Sequence, residues 1–177
     1  MGRIEVRVLE DAGRAEELAA LINDVYVVAE SGLWREGAQR TTVAELADEI
    51  RAGEIVVAIR EGQIVGSVRV HDVAAGTSEF GILVSAPDER NTGVGRALLD
   101  FIEERGRDRG LRAMQLELLV PREWSHPSKE FLAGWYARRG YELIALRTMD
   151  EAYPQLAPLL ATPCDLQVRE KRLVIDE

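Results

Sequence analysis

The sequence predicts a mixed-sheet α/β fold, α+β by some schemes. Short aliphatic runs such as IVVAI, IVGSVRV and AMQLELLV are interspersed with longer stretches of helical periodicity. Two of those runs are joined by Glu61-Gly62, a two-residue connection that makes antiparallel neighbours. Other runs are separated by whole helices, the connection that a parallel crossover needs.

The elements follow in order. IEVRVL (Ile4–Leu9) reads as a first strand. A helix spans roughly Arg14–Tyr26, with Leu18, Leu21, Ile22 and Val25 on one stripe. A polar, irregular segment containing Trp34 leads to Thr42, which opens a second helix through a capping box with Glu45; Gly53 stops it. Ile55–Ile59 and IVGSVRV form the hairpin, and EFGILVS is the next strand. A helix then carries Val94, Ala97, Leu98, Phe101 and Ile102 on one face and ends near Gly110. AMQLELLV is a strand, PREWSHPS a loop, Lys129–Arg139 a helix ending at Gly140, and YELIALRTM a strand. A Pro-interrupted stretch over Asp150–Pro163 reads as loop with a short helix, and LQVREKRL closes the chain. No internal repeat or low-complexity tract interrupts this order, so residues 1–177 read as a single domain.

Composition narrows the function. With 46% hydrophobic and 30% charged residues, the chain can bury a sizeable core. A net charge of -9 argues against nonspecific nucleic-acid or anionic-membrane binding and suits a cationic substrate. One cysteine, Cys164, cannot form an intrachain disulfide, and no apolar run is long enough to span a bilayer. The expectation is a cytoplasmic protein without a membrane or nucleic-acid partner. Two isolated histidines, His71 and His126, with that cysteine do not make a metal site, and no GxSxG elbow marks a hydrolase.

The segment ERNTGVGRAL (residues 89–98) carries the chemistry. A strand running into a glycine turn and a helix presents free backbone N–H groups, which with the helix dipole bind phosphate. The dinucleotide fingerprint needs a third glycine where Leu98 stands, and the Walker loop needs Gly-Lys-Ser/Thr, which is absent. What remains is Arg/Gln-x-x-Gly-x-Gly/Ala, matched by Arg90, Gly93 and Gly95. By itself that pattern does not separate a phosphate cradle from an ordinary helix start.

Context does. EFGILVSAPDERNTGVGRALLDFIEE, followed by a strand and FLAGWYARRGYELIAL, resembles the GNAT superfamily of acyl-CoA N-acyltransferases. Pro87 and the glycine loop match that family's central signature; Trp135, Tyr136, Gly140 and Tyr141 match its aromatic-Tyr-x-x-x-Gly-aromatic helix end. The resemblance implies a mixed, mostly antiparallel sheet of about seven strands flanked by about four helices. It implies acetyl-CoA as cosubstrate, no metal, and direct transfer of acetyl to a small-molecule amine in a ternary complex. The alternative is a non-catalytic relative that binds acyl-CoA as a sensor or interaction module, and the closing strand with the Pro-rich segment before it leaves room for a homodimer.

The same resemblance assigns roles. Leu83, Val84 and Ser85 would bond pantetheine amides through their main chain as a false strand, and a backbone N–H near Ser85 would steady the developing oxyanion. The N–H groups of Asn91, Thr92, Gly93, Val94, Gly95 and Arg96 would hold the pyrophosphate, helped by the Arg90 and Arg96 side chains. Tyr136 would protonate the departing thiolate and Glu79 would take the amine's proton, either directly or with a water chain in its place. The acceptor would bind among Tyr26, Glu30, Trp34, Arg40, Trp124 and Tyr153, with Arg40 clamping a carboxylate and Glu30 an ammonium. Read without the family, Trp34 and Trp124 are loop anchors, while Glu30 and Arg40 are surface charges. Cys164 and Tyr141 are expected to be structural.

Overall fold

The computed structural model describes residues 2–173. Its strands are β1 (Glu5–Val8), β2 (Ile55–Arg60), β3 (Gln63–Ala74), β4 (Thr77–Ser85), β5 (Ala113–Pro121), β6 (Glu142–Thr148) and β7 (Cys164–Arg172). Its helices are α1 (Ala15–Ala29), α2 (Val43–Arg51), α3 (Val94–Asp108), α4 (Pro127–Arg138) and the single turn α5 (Met149–Ala152). The fifth helix is the short one expected within the Pro-interrupted stretch.

Local chemistry sets the boundaries. The Thr42 hydroxyl accepts from the Glu45 N–H at 3.2 Å, and the Glu45 carboxylate accepts from the Thr42 N–H at 3.1 Å, a complete capping box at the start of α2. Glu61 (φ 51) and Gly62 (φ 81) both lie in the left-handed region, as a tight hairpin between β2 and β3 demands.

The sheet order is β1-β2-β3-β4-β5-β7-β6. Every pairing is antiparallel except β4 with β5. One face packs Phe80, Met114 and Leu116 against Leu98, Leu99 and Ile102 of α3 and Tyr136 of α4. The other packs Ile55, Val57, Ile59 and Val84 against Leu18 and Ile22 of α1 and Leu46 and Ile50 of α2. At the edge, β6 leaves Leu143, Ile144 and Leu146 exposed.

Two irregularities in β4 prepare the site. Its parallel pairing with β5 runs only from Thr77↔Ala113 to Phe80↔Leu116, although β4 continues to Ser85 and β5 to Pro121. Beyond Phe80 the two strands diverge, each held by its outer neighbour: β4 by β3 as far as Gly66↔Ser85, and β5 by β7 as far as Pro121↔Cys164. Within that stretch β4 carries a bulge, because Ser67 opposes Val84 whereas Arg69 opposes Gly81. Ile82 sits in the bulge at φ 53. A β-branched residue held there costs on the order of 1–3 kcal/mol, and such strain clusters at working sites.

Candidate active site

The divergence of β4 from β5 opens a cavity of about 360 Å³. Its walls come from both faces of the sheet. Tyr136 and Leu132 of α4, with Phe80, Leu116 and Leu118, line it from the α3/α4 side. Glu79, His71 and Arg69 line it from the α1/α2 side, with Tyr26 of α1 and Glu30 just after it. The cavity therefore passes through the sheet at the only parallel junction among the described strands.

Tyr136 is buried, with its ring packed on Phe80 at 5.8 Å and Trp135 at 5.1 Å between centroids. Its hydroxyl makes no hydrogen bond among the described residues, and burial raises its pKa far above the ordinary phenol value. Tyr141, five residues on, provides the contrast. It is fully buried and its hydroxyl donates to Glu103 at 2.8 Å, so it is committed to packing. Of the two, only Tyr136 offers a free protonated hydroxyl to the cavity.

Glu79 sits on β4 one residue before the last paired position. Gln115 on β5 donates its Nε2 to the Glu79 carboxylate at 2.7 Å. Burial lifts the Glu79 pKa above the ordinary carboxylate range, and the Glu117 charge adds to that against the Gln115 bond. Gln115 and Glu117 were not singled out in the sequence. The signal was there, because they alternate with Leu116 and Leu118 along β5 and so share one face. Glu117 accepts from the Tyr153 hydroxyl at 2.5 Å and lies 3.8 Å from Arg147.

The glycine loop follows the end of β4, where a Cβ on Gly95 would lie 3.9 Å from the Ser85 Oγ. Gly93 (φ 91) is the N-cap of α3, and Asn91 (φ 62) is also left-handed. The N–H groups of Asn91, Gly93, Val94, Gly95 and Arg96 have no partner among the described residues. The Thr92 N–H differs from the expectation: it donates to the Glu89 carbonyl at 3.3 Å, while the Thr92 hydroxyl donates to Glu89 at 2.8 Å. That turn fixes the loop and takes Thr92 out of the cradle's free donors. A Cβ on Gly93 would meet nothing within 4 Å, so the main chain is open to an approaching group. These features fit a pyrophosphate. The β5-facing edge of β4 beyond Phe80, which includes Leu83, Val84 and Ser85, lacks a strand partner. Arg90 is exposed, and Arg96 is exposed beside Asp100 at 3.7 Å.

The acceptor-side residues divide. Tyr26, Glu30, Trp34, Arg40 and Tyr153 line the cavity, while Trp124 does not. Trp124 donates its Nε1 to Thr162 at 3.1 Å, stacks on His126 at 5.3 Å and covers Gly32. It ties the segment after α1 to the loop before α4. Glu30 is buried rather than superficial: Lys129 donates to one carboxylate oxygen at 2.6 Å and the Trp34 Nε1 to the other at 3.2 Å. It is therefore not free to clamp an ammonium as the sequence suggested. Lys129, also buried, was missed because a lysine in the first turn of a helix reads as a solvated charge. Arg40 lies over the Tyr26 ring at 5.3 Å and has no carboxylate partner among the described residues. A second cavity of about 550 Å³ shares Tyr26, Glu30, Trp34 and Arg40 and opens outward under residues 31–40.

The split parallel junction thus has a buried tyrosine and a half-buried carboxylate in the lining of one cavity, with a glycine loop at the start of α3. The acetyltransferase (GNAT) domain family matches residues 51–143, and the chain belongs to that family of acetyl-CoA-dependent N-acetyltransferases. No curated protein matches the sequence. Among solved structures, the chain is similar to the PaiA N-acetyltransferase of Thermoplasma acidophilum in complex with coenzyme A (18% identity, TM-score 0.71), covering 96% of this chain and 99% of that one. It is similar to the ribosomal-protein-alanine N-acetyltransferase of Brucella melitensis (21%, 0.68; 96% and 99% covered). It also resembles the N-acetylglutamate synthase of Neisseria gonorrhoeae bound to coenzyme A and N-acetyl-glutamate (19%, 0.67), where 98% of this chain spans only 36% of that one. At these identities the likeness is one of fold. Among the described residues no group of side chains could hold a metal, and no helix is long and apolar enough to cross a membrane.

Proposed function

We propose that the protein transfers acetyl from acetyl-CoA directly to a primary amine of a small molecule, with both substrates bound together. The observation that carries this reading is the cavity through the sheet, which brings Tyr136 from one layer to the same space as Glu79 from the other. Acetyl-CoA supplies a thioester activated toward amines. The free N–H groups of the glycine loop hold the pyrophosphate, and the unpaired edge of β4 aligns the pantetheine arm with the gap.

An amine arrives mainly as ammonium and must lose a proton before it attacks. Glu79, half-buried with a raised pKa, is the base. Tyr136, kept protonated by burial, gives its proton to the leaving sulfur. No acyl-enzyme is needed: Cys164 does not line the cavity, and burial pushes its thiol up to about 11, so it is not a thiolate near neutrality. Arg40 is the cation left free to meet an acceptor carboxylate. Among the similar structures one is a ribosomal-protein-alanine N-acetyltransferase and another is an N-acetylglutamate synthase holding N-acetyl-glutamate, so the fold does not fix the amine. The buried, unpaired Cys164 fits a cytoplasmic setting.

The test is Tyr136→Phe. Loss of the acid should lower kcat by about 10²-fold or more while coenzyme A affinity stays within a factor of a few. Unchanged turnover would remove Tyr136 from the mechanism.

A further inference from the structure

His71 is the one titratable side chain near Glu79 that nothing so far explains. It lies on β3 directly opposite Glu79 in the antiparallel register. Opposed residues share a face with Cβ atoms about 5 Å apart. Glu79 is thus flanked by Gln115 on β5, which is hydrogen-bonded to it, and by His71 on β3, which is not. His71 lines the same cavity. Its Nδ1 is buried and has no hydrogen-bond partner among the described residues.

The other charged groups around it are engaged. Arg69, two residues earlier, bonds Glu54 at 2.8 Å and Glu49 at 3.2 Å. Asp72, the next residue, is held by Arg109 at 2.8 Å and Ser78 at 2.5 Å. From β5 and beyond, Glu117 is held by Tyr153 and faced by Arg147 of β6. From the segment after α1, Arg40 rests on Tyr26. An imidazole with an unspent nitrogen therefore stands beside a carboxylate that must shed a proton in every cycle.

We propose that Glu79 and His71 form a two-step proton relay, in which His71 carries the acceptor's proton away from Glu79 to solvent. The proposal rests on the acetyltransferase reading above. In the first step an N–H bond of the ammonium breaks and an O–H bond forms on Glu79, leaving a neutral amine with its lone pair. In the second, that O–H bond breaks as a ring nitrogen of His71 takes the proton, by rotation of the carboxyl or across a bridging solvent molecule. Glu79 returns to carboxylate, and the imidazolium releases the proton to buffer. Imidazole suits the second step because its ordinary titration falls between pH 5 and 8.

The experiment compares wild type, His71→Gln and Glu79→Gln on whichever amine wild type acetylates fastest. For His71→Gln the relay predicts a fall in kcat of at least about tenfold near neutral pH and an unchanged coenzyme A dissociation constant. It also predicts that the acid limb of kcat/KM moves down toward the carboxylate range. A wild-type pH profile in His71→Gln overturns the relay. Imidazole NMR gives a readout independent of turnover, since the chain has only two histidines. The His71 ring resonances should move in Glu79→Gln as the neighbouring charge is lost, and unchanged His71 resonances also overturn the relay. If wild type acetylates no amine, the acetyltransferase reading fails by itself, and the NMR comparison alone decides whether the two groups are coupled.

Discussion

Glu79 illustrates how one residue ties stability to chemistry. Its folded-state pKa lies above its unfolded value, so the folded protein binds more protons than the unfolded one across that interval. The site therefore favours folding less as pH rises through the folded-state value, and the penalty is absent below the ordinary carboxylate range. Glu79→Gln should accordingly melt at or above wild type at pH 7.5, with the difference shrinking as pH falls through the ordinary carboxylate range. The same variant should lose most of its kcat. Paired melting curves and initial rates check both halves, and a neutral-pH melting temperature well below wild type would contradict the charge argument. At this scale the sequence was a partial guide. The position of Tyr136 came from a motif with fixed spacing. The engagement of Glu30 with Lys129 could not be read, because it joins residues 99 apart in sequence through tertiary packing.

Elements add two expectations. In the cradle the two glycines serve different ends. Gly93 is at φ 91 with open space around it, so Gly93→Ala should cost about 1–2 kcal/mol through backbone strain as well as weaken coenzyme A binding. A Cβ on Gly95 would sit 3.7 Å from Trp135, an ordinary contact, so Gly95→Ala should leave folding nearly unchanged and act on coenzyme A binding alone. Denaturant titration beside calorimetry separates them; equal stability losses would refute the distinction. At the other end of the site, the Glu30–Lys129 pair fastens the end of α1 to the first turn of α4. Both side chains are 6% exposed. Lys129→Met leaves a buried carboxylate without its countercharge and should cost about 3–5 kcal/mol, with Glu30→Gln added to it restoring part. The elements were the best-read level, since capping boxes, hairpin dipeptides and alternation are local. The bulge at Ile82 was not foreseen, because nothing in EFGILVS marks a left-handed isoleucine.

Across the whole molecule, the proposed function rests on one topological fact. A sheet that is otherwise antiparallel contains a single parallel pair among the described strands, and that pair separates past Phe80. Two helical layers close over the two faces, and the gap is lined from both. The hairpins and crossover helices in the sequence implied a mixed sheet. They did not locate the separation, which depends on how far β3 and β7 hold their partners. The central claim is that this gap transfers acetyl to an amine. The most direct measurement is acetyl-CoA consumption, with product mass, across a panel of small amines that includes amino acids and diamines. Amine-dependent release of coenzyme A with stoichiometric acetylamide is the predicted result. Tight coenzyme A binding with no turnover on any amine would contradict the claim and leave a chain that only binds.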